Sequence, residues 1–174
     1  IAPTASISII CGGTSPGVEP IAANSYTHKT LSGSFNVRNR HLKQLLEKYG
    51  KNNDEVWSSI TTNQGSVSHL DFLTQNEKDV FKTAFELDQR WIVDHAGDRQ
   101  KFICQGQSVN LFFPAGTDKS YVNAVHLRAW KKNLKGLYYL RTNAGASAEK
   151  VSESIKQDKL KDFIDDDDCL SCQG

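Results

Sequence analysis

The sequence predicts an α/β fold built on a parallel sheet or barrel. Residues 108–113 form a short apolar run that stops at Pro114, the pattern of a strand buried on both faces. Residues 137–141 form a second such run. Between them, Thr117 or Asp118 opens a helix through Val122, Val125, Leu127 and Trp130. Strand, helix and strand within about 34 residues make a crossover, the connection that parallel strands require. A length of 174 residues, 38% apolar and 24% charged, suits one core-forming domain.

The remaining elements follow in chain order. Pro3 keeps Ala2 out of a helix, so the chain enters extended, and Thr4 to Ile10 read as a capped helix start or a short turn. Residues 11–24 are rich in Gly, Ser and Pro and read as a loop. Within it Glu19, ahead of Pro20, reads as an acid bonded to backbone. Residues 26–30 and 34–38 alternate around Leu31-Ser-Gly33, as a hairpin does. Asn39 caps a helix over 41–49 closed by Gly50, and Asn53 caps another through Ile60. Thr74-x-x-Glu77 is a capping box, read here as opening one long helix to about Ala96. Its apolar stripe would be Val80, Phe81, Ala84, Phe85, Leu87, Trp91 and Ile92. From Asn143 onward small and charged residues take over. The expected division is therefore a folded part, 1–142, and a flexible tail, 143–174.

Charge sharpens that division. The chain carries 21 Lys+Arg against 20 Asp+Glu, which excludes a strongly basic nucleic-acid binder. Residues 143–174 hold four lysines against eight acids, a net −4, which leaves +5 on residues 1–142. A mildly basic body suits an anionic ligand, and an acidic tail suits solvation. The longest apolar stretches, 7–11 and 109–114, fall far short of the ~20 residues of a membrane helix. Four scattered cysteines and no signal-peptide pattern predict a reducing, cytoplasmic setting. The chain has no Met and opens Ile-Ala-Pro, which reads as a piece of a larger protein.

Three features bear on chemistry. A hydroxyl-capped helix start presents outward N–H groups and partial positive charge, a setting for phosphate, to which Thr4 and Ser6 would add hydroxyls. The same Thr4 also reads simply as a cap. Tyr138 and Tyr139 fall in an apolar run, where alternation puts one ring in the core and one on the surface. A redox role needs both phenols on one path. Cys169-Leu-Ser-Cys172 ends the acidic tail behind four aspartates. No second ligand pair at fitting spacing supports zinc, whereas a mobile dithiol suits thiol–disulfide exchange. About 26 linking residues give a flexible tail roughly 25–30 Å of reach. Cys11 and Cys104 read as small buried hydrophobes. The five histidines are dispersed, and Trp57, Trp91 and Trp130 read as core.

Together these segments resemble the C-terminal part of the large, catalytic subunit of ribonucleotide reductase. The matching pieces are Ala2-Pro-Thr-Ala-Ser6, Gly17-Val-Glu-Pro20, Thr30-Leu-Ser-Gly33, Gln105-x-Gln-Ser108, Ala129-Trp-Lys131, Leu137-Tyr-Tyr-Leu-Arg-Thr142 and Cys169-x-x-Cys172, in the family's order. The resemblance implies the last strands of a ten-stranded α/β barrel with a mobile tail. It assigns Pro3, Thr4, Ala5, Ser6 and Ile7 to the substrate's phosphates, Tyr138 and Tyr139 to radical relay, and Cys169 and Cys172 to re-reduction of an active-site disulfide. Cys104 stands where an acid is expected, so no role transfers to it.

Neither Cys11 nor Cys104 lies in the family's thiyl-forming or reducing motifs. The resemblance therefore implies partners: a polypeptide carrying the rest of the large subunit, a separate small subunit with a metal-based radical cofactor, thioredoxin or glutaredoxin, and a ribonucleoside diphosphate. No metal, cofactor, nucleic acid or membrane is expected on this chain, and nucleotide effectors are expected on the missing part. Two alternatives accommodate the same residues: the adenosylcobalamin-dependent branch of the superfamily, and a non-catalytic module with a thioredoxin-reactive tail.

Overall fold

The computed structural model describes residues 1–12, 15–30 and 33–143, and shows a mixed α/β chain with two hydrophobic cores. The tail and its Cys169 and Cys172 lie outside the described residues, as do Leu31 and Ser32.

After a short helix α1 (Ala5–Ile10), strands β1 (Ser25–Thr30) and β2 (Gly33–Arg38) pair antiparallel, with Ser25 opposite Arg38 and Thr30 opposite Gly33. Helix α2 (Arg40–Lys48) begins where Asn39 accepts the amides of His41 and Leu42. It ends at Gly50, whose φ of +63° is the left-handed turn that glycine adopts without cost. Helix α3 (Asp54–Thr62) begins where Asn53 accepts the Val56 amide. Leu42 and Leu46 from α2 meet Trp57 and Ile60 from α3 in the first core, with Val67, Leu70 and Leu73 from the following loop.

The capping box at Thr74 and Glu77 forms, but the helix it opens, α4 (Gln75–Val80), lasts only six residues. The expected continuous helix to Ala96 is instead α4, a 3-10 turn (Ala84–Glu86) and helix α5 (Gln89–Gln100). Two causes act together. The backbone near the break is claimed from outside, because buried Asn24 Nδ2 donates to the Phe81 carbonyl at 2.7 Å and the Ala84 amide donates to Ile21 O at 2.8 Å. Fresh start signals then follow, since Glu86 closes a second capping box on Thr83 and Asp88 caps α5. The apolar stripe breaks with the helix, leaving Val80 and Trp91 exposed. Trp130 is exposed as well, so of the three tryptophans only Trp57 belongs to a core.

The second core joins α5, strand β3 (Leu111–Phe113) and helix α6 (Lys119–Lys131), through Val93, Ala96, Val109, Leu111, Phe113, Val125 and Ala129. Helix α6 starts on Asp118, which accepts the Ser120 amide. Strand β4 (Leu140–Thr142) then pairs parallel to β3, with Leu111 beside Leu140. The crossover expected from the sequence is therefore present, although both strands are shorter than expected. All three residues of β3 are buried and all three of β4 are exposed.

Candidate functional site

The segment 108–113 is the spine of the candidate site, because the Tyr138–Tyr139 backbone bonds one of its edges and Ile1, two residues ahead of Pro3, bonds the other. On one edge, the Tyr138 amide donates to Val109 O at 2.8 Å and the Leu111 amide to Tyr139 O at 2.9 Å. Backbone groups of alternate residues face the other way. There the Ser108 amide donates to Ile1 O at 2.9 Å, the Asn110 amide to Glu19 Oε1, and the Phe112 amide to Gln89 Oε1 at 2.9 Å. Side chains thus blunt the outer edge of β3, so among the described residues the unpaired edge of the pair is that of β4. An open groove along Tyr139, Leu140, Arg141 and Thr142 runs beside it.

The two phenols lie together. Their ring centroids are 4.0 Å apart at 48°, and Tyr138 Oη donates to Tyr139 Oη at 3.3 Å. Alternation across a strand predicted opposite faces, but both residues precede β4 and escape the pleat, and each ring is half exposed. The hydrogen bond to Tyr139, then its charge, pushes the Tyr138 phenol above the ordinary tyrosine range, with Arg141 opposing. The Arg141 guanidinium stands 5.2 Å over the Tyr139 ring, within cation–π range.

At the first segment, Thr4 is an anchor. Its amide and hydroxyl both donate to Pro16 O, at 2.7 and 3.2 Å, and its carbonyl accepts the Ser8 amide at 2.8 Å. The helix it precedes has first-turn N–H groups without intrahelical acceptors, as any helix does. A small groove of about 110 Å³ lies between residues 1–4, Pro16–Val18 and Ser108. Ile7 and Ile10 project outward, 62% and 83% exposed.

Cys11 and Cys104 are both exposed free thiols, so the expectation that they pack as buried hydrophobes is corrected; Ile10 beside Cys11 and Phe102, two residues before Cys104, are exposed as well. No group of three or more His, Cys, Asp or Glu side chains among the described residues is placed to hold a metal ion. Nor, among them, is any helix long and apolar enough to cross a membrane.

Glu19 is indeed a loop acid bonded to backbone, and it is buried. Three other contributors were not foreseen: Asn110, Gln89 and Arg141. Asn110 was the detectable one, since a polar residue interrupts the apolar run 109–113. Its Oδ1 accepts the Tyr139 amide at 3.3 Å.

A family model described as ribonucleotide reductase, barrel domain, matches residues 1–140. The putative ribonucleoside-diphosphate reductase large subunit of Frog virus 3 (isolate Goorha) is 47% identical over 174 residues, covering 100% of this chain and 30% of that protein. The ribonucleoside-diphosphate reductase large subunit of Invertebrate iridescent virus 6 is 49% identical over 175 residues, covering 95% of this chain and 18% of that protein. Among solved structures, the Actinobacillus ureae class Id ribonucleotide reductase alpha subunit superposes with a TM-score of 0.74 at 40% identity. That match covers 83% of this chain and 26% of the other. The chain therefore spans less than a third of the length of these relatives.

Proposed function

We propose a function from one premise: this chain belongs to the ribonucleotide reductase barrel-domain family. It acts as one part of a ribonucleoside-diphosphate reductase large subunit, in the cytoplasm, and supplies substrate-phosphate binding, tyrosine radical relay and tail re-reduction. The observation that carries this reading is the stacked, hydrogen-bonded Tyr138–Tyr139 pair, bonded to one edge of the 108–113 segment whose other edge bonds Ile1, just ahead of Pro3–Ile7.

The geometry supports a direction for the relay. Tyr138 donates its phenolic proton along the bond to Tyr139. When Tyr139 has lost one electron and its own proton, Tyr138 returns both to it, the proton across 3.3 Å and the electron between rings 4.0 Å apart. Tyr139 ends as an intact phenol and Tyr138 as the radical. The metal-based radical cofactor that starts this sequence belongs to a separate small subunit, and nucleotide effectors bind outside this chain. At the other segment, first-turn amides of α1 and the Ser6 hydroxyl receive the diphosphate, with Thr4 fixing the turn through Pro16. Cys169 and Cys172 carry reducing equivalents from thioredoxin or glutaredoxin to the active-site disulfide.

The rest of the barrel must come from residues outside this chain. A parallel strand is ordinarily buried on both faces, yet β4 is exposed along its length with an open groove at the edge left unpaired among the described residues. Another strand completes it. The test is to co-purify the full chain with the polypeptide carrying the remainder of the large subunit. A stable complex with protected amides at 140–142 supports the reading, whereas a chain that stays monomeric and unchanged beside that polypeptide contradicts it.

A further inference from the structure

A buried carboxylate links the two candidate segments. Glu19 is 5% exposed, and its Oε1 accepts the Asn110 amide. Asn110 in turn holds the Tyr139 amide through Oδ1 at 3.3 Å. The other end of the same loop holds Thr4. Ser15 Oγ closes the turn by donating to Glu19 O at 3.1 Å and accepting the Gly17 amide at 3.3 Å. Pro16 O, within that turn, receives both donors of Thr4.

Gly17 shows how closely the loop is built around this acid. A Cβ at that position would stand 2.0 Å from Glu19 Oε2 and 3.2 Å from its Cδ, and the third-nearest atom, at 3.8 Å, is the Glu19 amide nitrogen. All three belong to Glu19. Position 17 is bare so that this side chain can fold back beneath it. Burying a carboxylate is costly unless it is hydrogen-bonded, and filling space alone would be served better by an apolar side chain.

We infer that Glu19 is a positioning residue that sets the placement of the Pro3–Ile7 segment relative to Tyr138 and Tyr139. It does so by bridging the 15–19 turn to Asn110, and so acts through that turn and Asn110. This inference rests on the functional reading above, which gives those two segments their roles. Losing the bridge moves the turn that anchors Thr4 and the strand residue that anchors Tyr139 independently of each other. Substrate affinity and turnover then fall together.

The experiment uses Glu19→Ala, Glu19→Gln, Gly17→Ala and the Gly17→Ala/Glu19→Ala double variant, with two readouts. Amide hydrogen exchange on the full chain reads the bridge itself. Exchange at Asn110 should quicken about tenfold to a hundredfold in Glu19→Ala and in Gly17→Ala, the scale of a lost bond to a charged group. It should stay near the parent in Glu19→Gln, which keeps an acceptor. Gly17→Ala should add nothing once Glu19 is Ala, because the atoms it displaces are gone. Steady-state assay of the assembled reductase reads the consequence. KM for the ribonucleoside diphosphate should rise and kcat should fall, each by roughly tenfold, in the two single variants that break the bridge, with Glu19→Gln restoring both.

Unchanged Asn110 exchange in Glu19→Ala, additive effects in the double variant, or a Glu19→Gln as impaired as Glu19→Ala would overturn the inference. So would a broken bridge that leaves KM and kcat untouched. An assembled parent protein with no reductase activity, together with the expected exchange pattern, would instead remove the functional reading and leave the bridge standing.

Discussion

The Tyr121 hydroxyl donates to Asp88 Oδ1 at 2.7 Å while accepting the Gln89 amide at 2.9 Å, so a side chain of α6 caps the start of α5. That junction lies behind the candidate site. Gln89, the first residue of α5, gives Nε2 to the carbonyls of Ala84 and Leu87 and takes the Phe112 amide on Oε1. One fully engaged amide therefore holds the broken helix, the 3-10 turn and β3 together.

Tyr121→Phe keeps the ring, which packs edge-on against Phe113, and removes both hydroxyl bonds. It should destabilise the fold by about 1–3 kcal/mol, because the Asp88 carboxylate and the Gln89 amide each lose a partner. Chemical denaturation of the parent and the variant measures this. A change within about 0.5 kcal/mol, the range of an ordinary surface substitution, would show that the junction carries no such weight.

Asp88 also makes stability depend on acid pH. The Arg90 side chain is the largest cause holding its carboxyl well below the usual range; burial opposes, and the Arg90 amide and Tyr121 hydroxyl add to the lowering. A carboxylate with a depressed folded-state pKa contributes in full above its unfolded value, near 3.8. It loses that contribution as pH falls further toward the folded value. Melting curves between pH 7 and about 3 should show the parent losing stability relative to Asp88→Asn at the acid end. Parallel losses in the two proteins would contradict the assignment.

The tail prediction concerns residues 169 and 172. Cys169→Ser and Cys172→Ser in the assembled enzyme should abolish repeated turnover with thioredoxin or glutaredoxin and spare a single round, which uses thiols already reduced. Dithiothreitol should restore part of the turnover by diffusing to the disulfide directly. Asp165 to Asp168 should raise the thiol pKa values by like-charge repulsion, so exchange depends on the reductase rather than on an activated thiolate. Full thioredoxin-dependent turnover by the double Ser variant would show the dithiol to be incidental.

Local signals carried much of this fold into the sequence. Asn39, Asn53, Thr74 and Asp118 each cap the helix they announce, because a cap needs only the few residues around it. The parallel pairing of β3 with β4 was legible from strand, helix and strand spacing. What failed was decided across longer distances. Asn24 and Ile21 break the helix after α4 from about 60 residues away, and nothing in the 74–96 periodicity records their arrival. The second capping box, Thr83 with Glu86, was the local clue that went unread. At the site, the Tyr pair and Glu19 were visible as residues. Their connection through Asn110 was not, since it depends on Glu19 meeting Asn110 from 91 residues away.

The most direct test of the account is a single-turnover assay of the assembled reductase carrying Tyr138→Phe or Tyr139→Phe. Both rings are half exposed, so losing a hydroxyl should leave the fold intact, which circular dichroism and substrate binding verify. Each variant removes the ionisable O–H while keeping the ring. With the small subunit and prereduced thiols present, the parent should form deoxyribonucleoside diphosphate and both variants should form none above background. Substantial product from both Phe variants, with folding and substrate binding preserved, would contradict the relay and with it the role proposed for this chain.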